Sequence, residues 1–200
     1  MIKQTKRLAR PYLRAVQGGY RALRRSITKN APPWLGRSVD PFLDHFDLIF
    51  VDHGIFRLIY PNRHRLAVAG WRSAQPAPHD IRLLARRGLR TVVNLRGVRD
   101  CGSYRLERQA CQRHGVRLID FTVRSRQAPP ARIFHEAKAL FDSIEYPMLL
   151  HCKSGADRVG LMSTLYMILK EGMPVAEARR QLSLRFGHIR QPVLDRKSVV

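Results

Sequence analysis

The sequence predicts an α/β fold, a mostly parallel central sheet flanked by helices, with a basic N-terminal helical arm. Three observations carry that expectation. Short apolar runs alternate with longer helical patterns, and two of the helical patterns end at a glycine just before the next run. Crossover connections between parallel strands produce this rhythm of strand, helix, glycine, strand. The chain has 200 residues, 44% of them apolar, which suits one core of ordinary domain size plus an appendage. The first 38 residues, by contrast, carry ten Lys/Arg and no acid.

Taken in order, Pro11 to Asn30 places Leu13, Val16, Tyr20, Leu23 and Ile27 at steps of three and four, with Arg14, Arg21, Arg24 and Arg25 among them. That spacing predicts an amphipathic basic helix. Gly18-Gly19 weakens it by about 1 kcal/mol per glycine relative to alanine. Its apolar face either meets a surface or packs on the domain. Ala31-Pro32-Pro33 breaks the pattern, and an aromatic, apolar extension follows. The boundaries expected are therefore an arm over 1–30, a hinge and extension over 31–63, the α/β domain over 64–190 and a tail over 191–200.

Within the domain the strand candidates are Leu66–Gly70, Thr91–Leu95, Val116–Phe121 and Met148–His151. The helical candidates are Pro78–Arg87, closed by Gly88, Tyr104–His114, closed by Gly115, and Ala131–Ile144. Val159–Lys170 is apolar on most sides and is expected to be buried. Val175–Phe186 reads as a last helix closed by Gly187.

Charge and cysteine usage narrow the function classes. The net charge is +22, of which residues 1–38 contribute +10 and residues 39–200 contribute +12. The excess is mostly arginine, which suits bidentate contact with phosphate and carboxylate, so an anionic partner is expected: a membrane surface, nucleic acid or a phosphorylated substrate. The start is basic without a continuous apolar core, and no run of about 18 apolar residues occurs. A cytoplasmic location is expected, with peripheral attachment to the inner face of the membrane through residues 1–30 as its variant. Cys101, Cys111 and Cys152 make an odd count and argue against a disulfide framework. With neither CxxC spacing nor a His/Cys cluster, no metal and no cofactor are implied.

The stretch PMLLHCKSGADRVG, Pro147 to Gly160, carries the chemistry. An apolar strand ends in His151-Cys152 and turns through Gly155 into a buried helix. In such a turn the backbone N–H groups of Lys153, Ser154, Gly155, Ala156, Asp157 and Arg158 can curl into a nest, and the helix N-terminus adds partial positive charge. Gly155 permits the close backbone approach. Arg158 can grip two phosphate oxygens through its planar fork. Cys152, at the floor, is placed to be a thiolate nucleophile. His151 suits an orienting role better than that of a base, because a thiolate already formed needs none. Lys153 adds charge at the mouth or is simply solvated.

HCKSGADR resembles the H-C-x-x-G-x-x-R signature of the cysteine-dependent protein tyrosine and dual-specificity phosphatases. WRSAQP at 71–76, TVVNLRG at 91–97 and SLRFGHI at 183–189 are similar to segments of the bacterial dual-specificity-like branch. The resemblance covers roughly residues 50–190, leaves the arm unmatched, and implies a dual-specificity phosphatase-like fold working through a phosphocysteine. A rhodanese-type loop is shorter between cysteine and arginine. Two departures stand out. The family places Ser or Thr after the signature arginine, where this chain has Val159. It also supplies an aspartic acid from a mobile loop, where this chain reads FTVRSRQAPP, with Ser125 and Arg126 at the expected place. Asp157 is the candidate general acid, since myotubularin-type lipid phosphatases carry Asp just before this arginine. Asp120, at a strand end, is the alternative.

The leading expectation is a phosphomonoesterase acting on phosphotyrosine or phosphoserine/threonine proteins, or on a phosphorylated membrane lipid. The alternatives are an RNA 5′-phosphatase or triphosphatase, which the charge favours but no RNA-binding motif supports, and a non-catalytic phosphate-binding module. Arg96 is expected in a surface salt bridge or against substrate, Arg124 and Arg126 beside the pocket, and His188 in a turn or core. Cys101 or Cys111 could lie near Cys152 and form a protective disulfide.

Overall fold

The computed structural model describes residues 18–20, 22, 26, 42–51, 61–68, 70–124 and 129–189. The chain divides into two compact units, residues 1–54 with 101–103, and residues 55–100 with 104–200. In the first unit, residues 42–46 are helical and run into a π-helical turn, Asp47–Val51. Gly18, Gly19, Tyr20, Ala22 and Ser26 of the predicted arm helix are helical. The Tyr20 hydroxyl donates to the Leu43 carbonyl at 3.1 Å, and its ring lies 5.5 Å from that of Phe46. The rest of the arm lies outside the described residues.

The second unit is a five-stranded sheet in the order β1-β2-β5-β3-β4, with β1 (His64–Leu66), β2 (Gly70–Ala74), β3 (Thr91–Asn94), β4 (Arg117–Asp120) and β5 (Met148–Cys152). Only the β1–β2 hairpin is antiparallel, and β2, β5, β3 and β4 run parallel. Helices α1 (Pro78–Ala85), α2 (Gly102–Arg113), α3 (Arg132–Ser143) and α4 (Asp157–Leu169) supply the crossovers and the covering layers. Side chains alternate along each strand, so each strand feeds two cores. Trp71, Val92 and Leu149 pack with Ile81 and Leu84 of α1 and Ala110 and Cys111 of α2. Val93, Met148 and Leu150 pack on the other face with Ala137 and Phe141 of α3 and Met162 and Leu165 of α4. A Leu or Phe buried in this way contributes about 1.5–3 kcal/mol.

Two elements differ from expectation. The predicted strand Leu66–Gly70 is the hairpin's turn: β1 ends at Leu66, Ala67 takes φ +49°, and β2 begins at Gly70. A Cβ on Gly70, which has φ +136°, would fall 2.0 Å from the Met148 carbonyl oxygen. The strand that belongs there, GWRSA, is buried throughout, but its Arg and Ser disguise it as a loop. The predicted helix Val175–Phe186 is instead α5 (Val175–Ala178), a 3₁₀ turn Arg179–Gln181 and a second, Leu184–Phe186. The break arises because Gln181 faces β2 and α4. Its carbonyl accepts from Arg72, and the chain passes so close to Gly160 that a Cβ there would lie 2.5 Å from Leu182 Cδ2.

Candidate active site

Parallel sheets present their loops beyond the carboxyl ends of the strands, and β5 delivers Cys152 to that edge. Cys152 pairs in register with Ala74, and its side chain joins the core on the α3/α4 face. The chain then turns through residues 153–156 into α4, which opens at Asp157-Arg158. Gly155 has φ +74°, and a Cβ there would stand 2.6 Å from the Ala74 nitrogen and the Ser73 carbonyl carbon. Only glycine allows the loop to lie this close on the end of β2.

The orientation of the loop peptides is fixed from outside. The Ser154 carbonyl accepts from Asn62 Nδ2 at 2.9 Å, and the Gly155 carbonyl accepts from Arg72 Nη2 at 2.9 Å. In a planar trans peptide the N–H points opposite to the C=O. The N–H groups of Gly155 and Ala156 therefore face the side away from Asn62 and Arg72. That is how an anion nest is made. Asn62 also donates to the Phe186 carbonyl at 2.9 Å and takes φ +45° to do so. Arg72 is fully buried, donates to the Gln181 carbonyl and Oε1 at 2.8 and 2.7 Å, and lies 4.0 Å from the centre of the Phe186 ring. Arg158, half-buried on the first turn of α4, donates from Nη1 to the Leu95 carbonyl at 3.3 Å.

Behind the loop, on the opposite face of the sheet, runs a buried polar chain. His151 Nε2 meets Glu107 Oε1 of α2, and neither side chain is exposed. Glu107 Oε2 accepts from Gln75 Nε2 at 2.9 Å, and Gln75 Oε1 accepts from Arg96. Arg96 is thus buried inside the domain and not in a surface salt bridge.

The two acid candidates are placed differently. Asp157 is more than half exposed, with Oδ1 2.8 Å from His188 Nδ1. His188 closes the turn after Leu184–Phe186, its N–H donating to the Ser183 carbonyl at 3.1 Å, and its ring faces the first turn of α4. Asp120 accepts from Asn94 Nδ2 at 2.7 Å and from the Tyr104 hydroxyl at 2.6 Å, so both oxygens are committed. Burial, then Asp120 itself, pushes Tyr104 up to about 12, which keeps it a donor. Asp120 pairs with Asn94, which pairs with His151, so it sits two strand spacings, about 10 Å, from β5.

Val159 is fully buried in the α3/α4 core. Lys153 and Arg124 are exposed, while Ser125 and Arg126 lie outside the described residues. Cys111 packs across the sheet from Cys152, and burial, with Glu107 beside it, pushes its thiol up to about 12. Cys101 groups with the first unit. The expected protective disulfide with Cys111 would have to cross the sheet. Sequence reasoning missed Asn62, Arg72, Gln75 and Glu107. A signal existed for two of them: Arg72 interrupts a strand, and Glu107 falls on the Tyr104, Ala110, Cys111 face of α2.

A strand-to-helix cysteine loop with its carbonyls tied back, on a four-strand parallel core, defines the class of cysteine phosphatase domains. Residues 61–195 match the family model described as "DSP-PTPase phosphatase fused to NAD+ Kinase", and the chain belongs to that family. It is 28% identical over 112 residues to the dual specificity protein phosphatase TpbA of Pseudomonas aeruginosa strain UCBPP-PA14, covering 56% of this chain and 48% of TpbA. The chain thus spans about half the length of the curated relatives it matches. The crystal structure of a P. aeruginosa TpbA variant in complex with pTyr superposes with a TM-score of 0.53 at 26% identity, covering 64% of this chain and 75% of that one. A DUF442 protein of Shewanella putrefaciens CN-32 shares the fold, with a TM-score of 0.54 at 18% identity, covering 71% of this chain and 92% of that one.

Proposed function

We propose that the protein is a cysteine-dependent phosphatase that hydrolyses phosphomonoesters through a phosphocysteine on Cys152. The observation that supports this most directly is the tie-back of the Ser154 and Gly155 carbonyls, which turns the Gly155 and Ala156 N–H groups to the side away from Asn62 and Arg72. In the first step Cys152 Sγ attacks phosphorus, the bond to the ester oxygen breaks, and that oxygen leaves with a proton from Asp157. Arg158 and the loop N–H groups, Lys153 to Arg158, hold the phosphoryl oxygens as negative charge spreads over them. In the second step water attacks phosphorus, its proton passes to Asp157, and the sulfur–phosphorus bond breaks. His151, fixed by Glu107, orients the loop. Val159 offers the departing thiolate no hydroxyl, so release is the slow step.

The substrate is a phosphorylated protein side chain, and pTyr, bound by the TpbA relative, makes an aryl phosphate the natural probe. A phosphorylated membrane lipid is the second reading, favoured by the +10 charge of residues 1–38, which would hold the chain peripherally on an anionic cytoplasmic face. Mixing the protein with p-nitrophenyl phosphate should give a burst of one nitrophenolate per chain, then slow turnover, with phosphate trapped on Cys152 by acid quench. Cys152→Ser should show neither. Absence of both burst and turnover in the wild type would refute the reading. Comparing a phosphotyrosine peptide with a phosphoinositide in vesicles, with and without residues 1–30, separates protein from lipid.

A further inference from the structure

The side chain of Arg72 is fully buried, yet its donors go only to neutral groups. They reach the Gly155 carbonyl and the carbonyl and side-chain oxygens of Gln181, and the Phe186 ring covers the guanidinium. Its Nε has no acceptor, and among the described residues no carboxylate lies within ion-pair distance of it. A buried charge without a countercharge is strongly disfavoured, which is why buried arginines are ordinarily paired. The register shows where a countercharge can sit. Arg72 pairs with Leu150 and Ala74 with Cys152, so the side chains of Arg72 and Cys152 leave the same face of the sheet one step apart on neighbouring strands. Burial lowers Arg72 to about 10, and the influence opposing that shift is the charge on Cys152. Arg72 thus joins the N-terminus of α4, which follows Cys152 by five residues, as a positive element on the Cys152 side of the sheet.

We infer that Arg72 is a positioning residue with two duties: its fork holds the Gly155 carbonyl out of the anion nest, and its buried charge is balanced by the Cys152 thiolate. This rests on reading Cys152 as the nucleophile, but it is tested on the thiol itself. The wild type, Arg72→Gln and Arg72→Lys are alkylated with iodoacetamide at pH 6, and the label is located by peptide mass mapping, with near-UV circular dichroism checking the fold. Lysine keeps the charge and loses the fork. Arg72→Gln should label Cys152 on the order of tenfold more slowly than the wild type. Arg72→Lys should stay within about threefold of the wild-type labelling rate while losing most phosphatase turnover, because the loop is no longer held. Folded Arg72→Gln labelling at the wild-type rate would overturn the charge assignment. So would Arg72→Lys labelling tenfold slowly, and that variant keeps the test open where Arg72→Gln does not fold. A protein with this labelling pattern but no turnover of any phosphate ester would lose the phosphatase reading and keep this one.

Discussion

At the scale of single residues, the placement of the carboxylates around the loop separates this chain from the pattern its signature resembles. Asp120 is tied by Asn94 and Tyr104 and stands two strands from Cys152, whereas Asp157 lies at the start of α4 with His188 against it. A general acid matters in proportion to how poorly the leaving oxygen departs alone, and contributes about 10²- to 10⁴-fold in rate. Asp157→Asn is therefore expected to lose on the order of 100-fold in kcat/KM on an alkyl phosphate and only a few-fold on p-nitrophenyl phosphate. Equal losses on both substrates would remove Asp157 from that role. Asp120→Asn, measured beside it, should alter stability and leave the leaving-group dependence unchanged.

At the scale of elements, the loop is shaped by its neighbours as much as by its own residues. Gly155→Ala meets two penalties: a left-handed φ, about 1–2 kcal/mol, and contact with the backbone at the end of β2, about another 1–3 kcal/mol. Gly88 is the control, since it has φ +89° but open space around its Cα. Urea unfolding should show Gly155→Ala losing at least about 1 kcal/mol more than Gly88→Ala, and equal losses would show that close approach is unimportant. This contrast also explains what could be read beforehand. The thiol, the glycine and the arginine of the loop share one contiguous stretch, so local spacing displays them. The apolar strands β3 and β5 and helices α1 to α4 announce themselves by periodicity, with ends off by a residue or two. Arg72, Glu107 and Gln75 are polar residues whose partners lie 21 to 109 positions away, as Gln75–Arg96 and Arg72–Gln181 show. Polarity in a one-dimensional reading signals solvent. Only the fold reveals that these side chains are buried and held by partners distant in the chain.

At the scale of the whole molecule, the site is closed by segments from both ends of the domain. Residue 62 precedes the first strand and residues 181–187 follow the last helix, and both touch the 153–160 segment. A chain ending at residue 180 keeps HCKSGADR and all five strands. It should nonetheless lose the acceptors of Arg72 at Gln181 and the cover of Phe186, and with them nearly all turnover, while retaining strand content by circular dichroism. Full activity in that truncated chain would show that the C-terminal segment is dispensable to the loop. Asn62 carries the same dependence into time. Its carboxamide bridges positions 92 residues and 124 residues downstream of itself. On the ribosome the 153–158 loop therefore emerges after Asn62 and Arg72 but before Gln181 and Phe186, so its bracing is complete only when the stretch around Phe186 has left the exit tunnel.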